Sequence, residues 1–344
     1  MPEVHLQRPK RTNVASEPSP LPDRQTPTLR LWVHAVIFGL TWQTSCPRYE
    51  GNAQSLLASD PVPTFFTMNE KSSFIRATRI GGHAYRYLTT RPHTGRVVSS
   101  FSGGINLLFE DGEAFVPVQI RDVPLHPWAI EIPSEPLLFG EGTPVRSEEG
   151  KLSLGGTHIV LSTAQVEELS LPRFSAQGVA IARRNFPILA RFVEKAKKMH
   201  QPDPFQPEID SILTRWRETG DPAILLNLIG LGAGSTPSGD DIIVGILAGL
   251  CIFEHVNDRT RETLSRLRTG ISANVSGSTS LPSAQMLLAA CDGSFAEPIL
   301  KLVAGITSPN IQENNLLKKA DCVFQLGHHS GLAMLLGLKA ELVP

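Results

Sequence analysis

The spacing of apolar residues changes once along this chain, near Thr163, and that change limits the possible folds more than any other feature. Before Thr163, short apolar runs are separated by glycine-rich turns, as in Arg96–Ile120, where Asp111-Gly112 predicts a hairpin. After it, apolar residues recur at helical spacing, as in Gly178–Met199. The chain is therefore predicted to be an α+β protein, with an N-terminal β-rich domain followed by a mostly α-helical C-terminal domain.

This interpretation divides the chain into four segments. They are a disordered leader over residues 1–28, a poorly patterned stretch over 29–72, a β-rich domain over 73–163 and a helical domain over 164–344 that carries a glycine-rich loop. The leader is rich in Pro, Ser, Arg and Gln and has few apolar residues, which is typical of disordered chains.

Composition excludes some classes of partner. A formal net charge of -1 gives no support for a nucleic-acid partner. The most apolar early run, Leu29–Trp42, contains an arginine and a histidine and is shorter than the roughly 20 residues that span a bilayer, so no membrane segment is expected. The cysteines form no CxxC pair, and Cys251, Cys291 and Cys322 are expected to be buried thiols. These features favour a cytoplasmic protein.

Two signals in the β-rich segment predict local detail. Gly81-Gly82 is expected to form a turn between two strand-like runs, the second of which begins at His83. Pro117 predicts that its strand is an edge strand or carries a bulge. The histidines of this segment have no metal-ligand spacing and suggest no site; they are His83, His93, His126 and His158.

The stretch GLGAGSTPSGDD, from Gly230 to Asp241, is the strongest functional signal. It is neither a dinucleotide-binding fingerprint nor a Walker loop, because its third glycine is not at the offset that the fingerprint requires and no Gly-Lys-Ser/Thr follows. Ser238 to Asp241 has the form of a capping box, in which Ser238 caps the following helix. Capping explains the serine and one aspartate, but it does not explain three alternating glycines or the second carboxylate.

A ligand offers a second explanation of this loop. Exposed N–H groups of the loop and of the helix N-terminus could bind an anion. Asp240 and Asp241 would repel that anion unless Mg²⁺ bridges them to it, or unless one of them accepts hydrogen bonds from an NH₂ group of the ligand. No cofactor other than this alternative Mg²⁺ is indicated.

The start of this helix is echoed near the C-terminus. Ser238-Gly239 followed by Gly245 matches Ser330-Gly331 followed by Gly337, and Pro282-Ser283 begins a similar run. Small residues at these positions would let two helices pack closely. The echo suggests helix N-termini arranged around one shared pocket, and the alternative is an ordinary bundle of serine-capped helices.

His328 and His329 precede the echoed helix start. One of them could act as a general acid or base, because imidazole titrates near neutral pH. The alternative is a structural pair, with one histidine buried and hydrogen-bonded and the other in solvent.

These residues carry a resemblance. The stretch Gly230–Asp241 resembles the signature of the AllH-type family of oxamate carbamoyltransferase subunits, approximately Gly-x-Gly-x-Gly-Leu-Thr-Pro-Ser-Gly-Asp-Asp, and departs from it at Ser235, where the family has leucine. Thr279–Gly293 and Gly327–Gly331 resemble two further blocks of the family, and Val97–Val118 resembles its early hairpin. The resemblance covers roughly residues 70–344.

The resemblance implies a role in splitting oxalurate with phosphate into oxamate and carbamoyl phosphate, late in the anaerobic use of allantoin, together with two other subunits. The expected partners are therefore small anions (phosphate or carbamoyl phosphate, and oxalurate) and other enzyme subunits. Asp240 or Asp241 would receive the carbamoyl NH₂ and His328 would move a proton. The ligand would be held by the glycine loop and the three helix starts, through Gly230, Gly232, Gly234, Thr236, Ser238, Gly239, Thr279, Ser283, Ser330 and Gly331.

Two other functions fit the same residues. One is a metal-dependent hydrolase that uses Asp240, Asp241 and His328. The other is a non-catalytic scaffold subunit, in which the capped helices only pack and present a surface to partners.

Overall fold

The structure is a computed structural model that describes residues 73–110, 112–133 and 137–342. The predicted leader over 1–28, the stretch over 29–72 with its apolar run, and Asp111 lie outside the described residues.

The β-rich part is built on a curled sheet of ten strands in the described ranges. The strands are β1 Ser73–Arg76, β2 Arg79–Gly81, β3 His93–Phe101, β4 Gly104–Phe109, β5 Ala114–Ile120, β6 Ile130–Ile132, β7 Pro144–Glu148, β8 Lys151–Leu154, β9 Thr157–Val160 and β10 Gln165–Glu167. Their order across the sheet is β1-β9-β8-β7-β3-β4-β5-β6-β2-β10. The sheet extends to Glu167, slightly beyond the boundary expected at residue 163, because β10 pairs in parallel with β2.

The hairpin predicted around Asp111-Gly112 is confirmed by the pairing of β4 with β5, in which Phe109 stands opposite Ala114. Pro117 lies in β5, which pairs with β4 along its length but with β6 only from Val118 onward. The proline therefore stands where its strand has a single neighbour, as its missing N–H requires. On this open side, the N–H of Phe115 donates to Gln285 of the helical part over 2.9 Å.

The strand predicted after Gly81-Gly82 is wrong, because the chain forms helix α1, Gly82–Thr90. Ala84 and Leu88 are buried one helical turn apart, and this spacing places both on the face that packs on the sheet. Gly81 is required by packing and not by a turn, since a Cβ there would lie 2.3 Å from the carbonyl oxygen of Pro127.

The helical part confirms the predicted change of pattern. Its α-helices are α2 Ala176–Met199, α3 Gln206–Thr219, α4 Ser238–Phe253, α5 Asp258–Asn274, α6 Leu281–Cys291, α7 Glu297–Ile306, α8 Glu313–Phe324 and α9 Ser330–Leu342, and a 3-10 helix spans Pro222–Leu228. Cys251 and Cys291 are buried as expected, but Cys322 is exposed. Over the described residues, no helix is both long and apolar enough to cross a bilayer.

Helix α4 lies at the centre of the helical core and is buried along its whole length. It packs against α9 through the two glycines of the sequence echo. A Cβ on Gly245 would lie 2.0 Å from the carbonyl oxygen of Met334, and a Cβ on Gly337 would lie 2.0 Å from that of Ile242. The close helix packing predicted from the echo is confirmed, and it brings the N-termini of both helices to the same end of the core.

Candidate functional site

A cavity lies between the β-rich part and the helix starts. From the β-rich part it is lined by Phe101, Asn106, Phe115, Pro117, Gln119, Pro124, His126 and Trp128. From the helical part it is lined by Ser235, Thr236, Asp241, Pro282, Gln285, Met286, Ala296, Leu326, Gly327, His328, Ser330 and Met334. Its volume is about 140 Å³, enough for roughly ten water molecules or one small organic ligand.

Four buried polar atoms of the cavity lining have no hydrogen-bond partner in the protein. They are Asn106 Oδ1, Trp128 Nε1, Asp241 Oδ2 and Gln285 Nε2. Buried polar atoms are paired in nearly all native structures, since an unpaired one costs about 1–3 kcal/mol. Four such atoms around one cavity therefore leave hydrogen-bonding capacity that water or a polar ligand would satisfy.

The hydrogen bonds of each amide show which of its two polar atoms is left unpaired. Gln285 accepts from the N–H of Phe115 through Oε1, which leaves its Nε2 as an unpaired donor. Asn106 donates from Nδ2 to Ser99 Oγ over 2.8 Å, which leaves its Oδ1 as an unpaired acceptor. Trp128 Nε1 can only donate. The β-rich and helical parts thus each contribute donors or acceptors to the cavity.

Asp241 faces this cavity from the first turn of α4 and is only 4% exposed. Burial raises the pKa of its carboxyl well above the usual value, the charge of Asp240 raises it further, and a hydrogen bond from Ser330 opposes the shift. Ser330 in turn lies 2.9 Å from Thr236, oxygen to oxygen. Three of the residues predicted from sequence, Thr236, Asp241 and Ser330, are therefore in mutual contact at the cavity wall.

Asp240 has a different environment. Its Oδ1 accepts from the N–H of Gly230 over 2.8 Å, and its Oδ2 accepts from Ser283 over 2.7 Å and from Thr279. Burial raises the pKa of Asp240, and these three hydrogen bonds oppose the shift. Asp240, Thr279 and Ser283 thus tie the glycine loop to the start of α6.

The capping box predicted at Ser238 is wrong. The N-cap of α4 is Pro237, and the Ser238 hydroxyl donates to Asp203 in a second, outer pocket, away from the main cavity. The Gly239 N–H donates to the Leu231 carbonyl over 2.8 Å, and the next two N–H groups of the helix donate to the Pro237 carbonyl. The backbone itself satisfies these donors, so no side-chain cap is needed.

The starts of α6 and α9 also differ from the serine-capped helix starts that the sequence predicts. The N-cap of α6 is Ser280, which accepts from the N–H of Ser283, so Ser283 is not the cap. The Gly331 N–H donates to the Leu326 carbonyl over 2.8 Å, as Gly239 does to Leu231. Added Cβ atoms on Gly239 and Gly331 would lie 2.1 Å from the carbonyl oxygens of Leu228 and Val323, respectively. The two glycines therefore bring each helix start against the preceding turn.

The three loop glycines have positive φ angles, +74° at Gly230, +137° at Gly232 and +87° at Gly234. None of them lines the cavity, whereas the following Ser235 and Thr236 do. A Cβ on Gly230 would meet the Ser278 carbonyl oxygen at 2.0 Å, so the loop lies directly against the segment before α6. The glycines shape the turn that presents Ser235 and Thr236 to the cavity, and their contact with a ligand stays a prediction.

Two family models match this chain. The model described as oxamate carbamoyltransferase subunit AllH matches residues 228–342, and the AllH family N-terminal domain matches residues 76–167. The chain belongs to the AllH family. The two AllH matches meet at the cavity: Asn106 and Trp128 lie in the N-terminal match, and Asp241 and Gln285 lie in the other. No solved structure matches the chain.

In this AllH family member, His328 and His329 line different pockets but belong to one cluster with His200, in which the ring centroid of His328 lies 4.4 Å from that of His329 and 5.4 Å from that of His200. His328 lines the cavity, whereas His329 faces His200 in the outer pocket, with His329 Nδ1 and His200 Nε2 2.9 Å apart. Burial lowers the pKa of both His200 and His329. Of the predicted pair, His328 is therefore the one placed to meet a ligand in the main cavity.

His126, Asn106, Trp128 and Gln285 were missed by the sequence analysis. His126 lines the cavity, and burial lowers its pKa to about 4, so the imidazole is neutral at physiological pH. Its Nδ1 accepts from the N–H of Trp128 over 3.3 Å, which leaves the proton on Nε2. The one available signal was weak: His126 and Trp128 flank a proline, and neither residue belongs to a recognisable motif.

The charged groups in the cavity lining limit which chemical group of a ligand the cavity can bind. Among the described residues that line it, none is Lys or Arg. Across the described ranges, no three His, Cys, Asp or Glu side chains cluster as ligands for a metal ion. Neutral donors and acceptors therefore dominate the lining, and they suit an uncharged polar group such as an amide.

Proposed function

We propose that this chain is the substrate-holding subunit of an oxamate carbamoyltransferase, and that its cavity binds the carbamoyl end of oxalurate. The observation that carries the proposal is the set of four unpartnered polar atoms around one cavity, two from each part of the molecule. Membership in a family of oxamate carbamoyltransferase subunits supports the reaction class.

The proposed reaction transfers the carbamoyl group of oxalurate to phosphate. A phosphate oxygen forms a bond to the terminal ureido carbon, and the bond from that carbon to the nitrogen of the oxamate part breaks. His328 takes the proton of the attacking phosphate and gives it to the departing nitrogen. The products are carbamoyl phosphate and oxamate, and atoms and charge balance without a further reactant.

Asp241 is proposed to accept hydrogen bonds from the carbamoyl NH₂, because its Oδ2 is buried, unpartnered and at the cavity wall. Asp240 is proposed to act indirectly, by holding the glycine loop against α6. Thr236 and Ser330 offer hydroxyl groups for the phosphate, and other subunits would complete its site. In this proposal the protein works in the cytoplasm, in the anaerobic breakdown of allantoin.

Turnover of oxalurate by the chain assembled with its partner subunits tests the role of Asp241. Asp241→Asn should lower kcat/KM by about 10- to 100-fold, the effect of losing a hydrogen bond to a charged group. Thr94, which is exposed and is not part of the cavity lining, supplies the control variant Thr94→Val. Unchanged turnover in both Asp241→Asn and Asp240→Asn would contradict the proposed role of this carboxylate pair.

The proton-transfer role is tested with the neighbouring histidines. His328→Gln should lower kcat by about a hundredfold or more, as expected for loss of a general acid–base group. His329→Gln is the matched control, because His329 faces His200 in the outer pocket. Equal losses in the two variants would indicate a structural effect and would remove His328 from the mechanism.

Calorimetric titration with carbamoyl phosphate, with and without Mg²⁺, separates this proposal from the two alternatives. Binding that depends on Mg²⁺ and is lost on chelation would favour a metal site at Asp240 and Asp241. Loop variants that lose only assembly or stability, with no ligand bound by the complex, would favour a scaffold subunit.

A further inference from the structure

We propose that the N-terminal domain determines substrate specificity, with Asn106 and Trp128 joining Asp241 and Gln285 in a hydrogen-bonding frame that selects a planar primary amide over the isosteric carboxylate. This inference rests on the proposed function, and it assigns residues outside the signature loop. The selected group is a terminal CO–NH₂, which oxalurate carries at its carbamoyl end; oxamate carries a separate primary amide of the same shape and serves as a probe of the frame.

The frame pairs two acceptors with two donors. Asn106 Oδ1 and Asp241 Oδ2 are acceptors for the two N–H bonds of an amide, and Trp128 Nε1 and Gln285 Nε2 are donors for its carbonyl oxygen. Asn106, Asp241 and Gln285 are each at least nine-tenths buried, so water cannot easily replace the ligand's hydrogen bonds.

The contact with Phe115 prevents the Gln285 amide from exchanging its two roles. Rotating Gln285 by half a turn would direct its NH₂ at the N–H of Phe115, donor against donor. Asn106 donates from Nδ2 to Ser99 Oγ, a hydroxyl that could also donate to Oδ1 in the reversed orientation, so a ligand would select the orientation of this amide. The Gln285 donor is therefore fixed before a ligand enters, which reduces the entropic cost of binding.

A carboxylate fits this frame poorly. Its second oxygen would take the place of the amide nitrogen and would face Asn106 Oδ1, acceptor against acceptor, and it would meet Asp241 Oδ2 favourably only if Asp241 kept its proton. Sites built to hydrogen-bond a particular polar group reject analogues that lack it by large factors, because buried partners are left unpaired. We therefore expect oxamate to bind at least about a hundredfold more tightly than oxalate, which differs from it by NH₂ against oxygen.

Calorimetry with oxamate and oxalate, on the full chain assembled with its partner subunits, tests the frame. Trp128→Phe keeps the aromatic shape and removes the N–H, and Gln285→Glu keeps the acceptor for Phe115 and removes the NH₂. Each should weaken oxamate binding about tenfold, which is the effect of one lost hydrogen bond at a buried site. Trp216→Phe is the matched control, because Trp216 is buried in the helical core.

The outcomes distinguish this inference from the proposed function. Equal affinity for oxalate and oxamate, absence of oxamate binding by the wild-type complex, or unchanged oxamate affinity in both Trp128→Phe and Gln285→Glu would overturn the frame. If oxalurate turnover nevertheless depends on Asp241 and His328, the carbamoyltransferase proposal stands without it. If oxamate binds as expected but the complex turns over no oxalurate, the frame stands and the proposed reaction fails.

Discussion

Adjacent carboxylates at the start of α4 have opposite surroundings, although the sequence presents them as a pair. Neighbouring helical residues point about 100° apart, so they do not face the same partners. Asp240 receives three hydrogen bonds from the protein, while one oxygen of Asp241 receives none. Burial raises the pKa of both carboxyls, but the three hydrogen bonds of Asp240 oppose the shift, so ionisation costs more stability at Asp241 than at Asp240.

Asp241→Asn should stabilise the free protein at neutral pH. An unfolded aspartate has a pKa of about 3.9, and burial raises the folded pKa of Asp241 well above that. The folded state then holds the proton more tightly, so the wild type loses stability as pH rises from about 3.9 through the raised folded pKa. Asparagine does not ionise and avoids this loss.

Thermal unfolding of the wild type and Asp241→Asn between pH 5 and 8 measures the effect. The Tm of the variant should exceed that of the wild type by roughly 2–4 °C for each kcal/mol, and the gap should widen with pH over this window. Asp240→Asn is the contrast, because it weakens the bonds to Thr279 and Ser283, so its Tm should be lower than that of Asp241→Asn at every pH in this window. A wild type more stable than Asp241→Asn across the range would show that Asp241 is structural.

At the scale of elements, the contact between α4 and α9 depends on two glycines that leave no room for a side chain. Gly245→Ala should destabilise the protein by at least about 3 kcal/mol, because its Cβ would overlap a backbone oxygen that cannot move independently of the helix. Gly178→Ala in α2 is the matched control, since a Cβ there meets its neighbours at ordinary distances of 3.8 Å or more. That control should stay within about 1 kcal/mol of the wild type, in the stabilising direction.

Chemical denaturation of the two glycine variants measures this difference. Similar stabilities would mean that α4 and α9 can separate without loss, and the close contact would then have no energetic importance.

The elements also show what the sequence could and could not predict. The β4–β5 hairpin, the helical C-terminal half and the close packing of the echoed helices followed from turn residues, apolar spacing and small residues, which act locally. Helix α1 was misassigned because Gly81-Gly82 has the form of a turn between strands, whereas the chain packs Ala84 and Leu88 on the sheet from a helix. Local pattern cannot supply that tertiary choice.

Only part of the candidate site could be predicted from the sequence, for the same reason. The signature loop identified Thr236 and Asp241, but Asn106 and Trp128 belong to no motif. They become meaningful only when folding brings them opposite α4 and α6, far away in sequence. The hydrogen bond from the Ser238 hydroxyl to Asp203 also could not be predicted, because Asp203 lies before α3 and shares no local pattern with the loop.

At the scale of the whole molecule, the cavity requires the β-rich and helical parts to hold a fixed relative position. Arg79 of β2 connects them, since it donates to the buried Glu131 of β6 and to Glu297 at the start of α7. Its hydrogen bond with Glu131 is the main cause that raises the pKa of Arg79. The Glu297 N–H reinforces the junction by donating to the Leu125 carbonyl over 3.0 Å.

Arg79→Met should therefore weaken both stability and ligand binding. Glu131 is 1% exposed, and removing the partner of a buried charge costs about 3–5 kcal/mol. Arg86→Met is the matched control, because the Arg86–Glu168 pair is exposed on both sides and such pairs contribute about 0–1 kcal/mol. Denaturation should show the large loss only in Arg79→Met.

Calorimetry with oxamate under conditions where that variant stays folded should show weaker binding, because Asn106 and Trp128 would no longer be held opposite Asp241 and Gln285. Unchanged affinity in the folded variant would mean that the cavity keeps its geometry without this ion pair, through the Phe115–Gln285 contact and the backbone bonds of the junction.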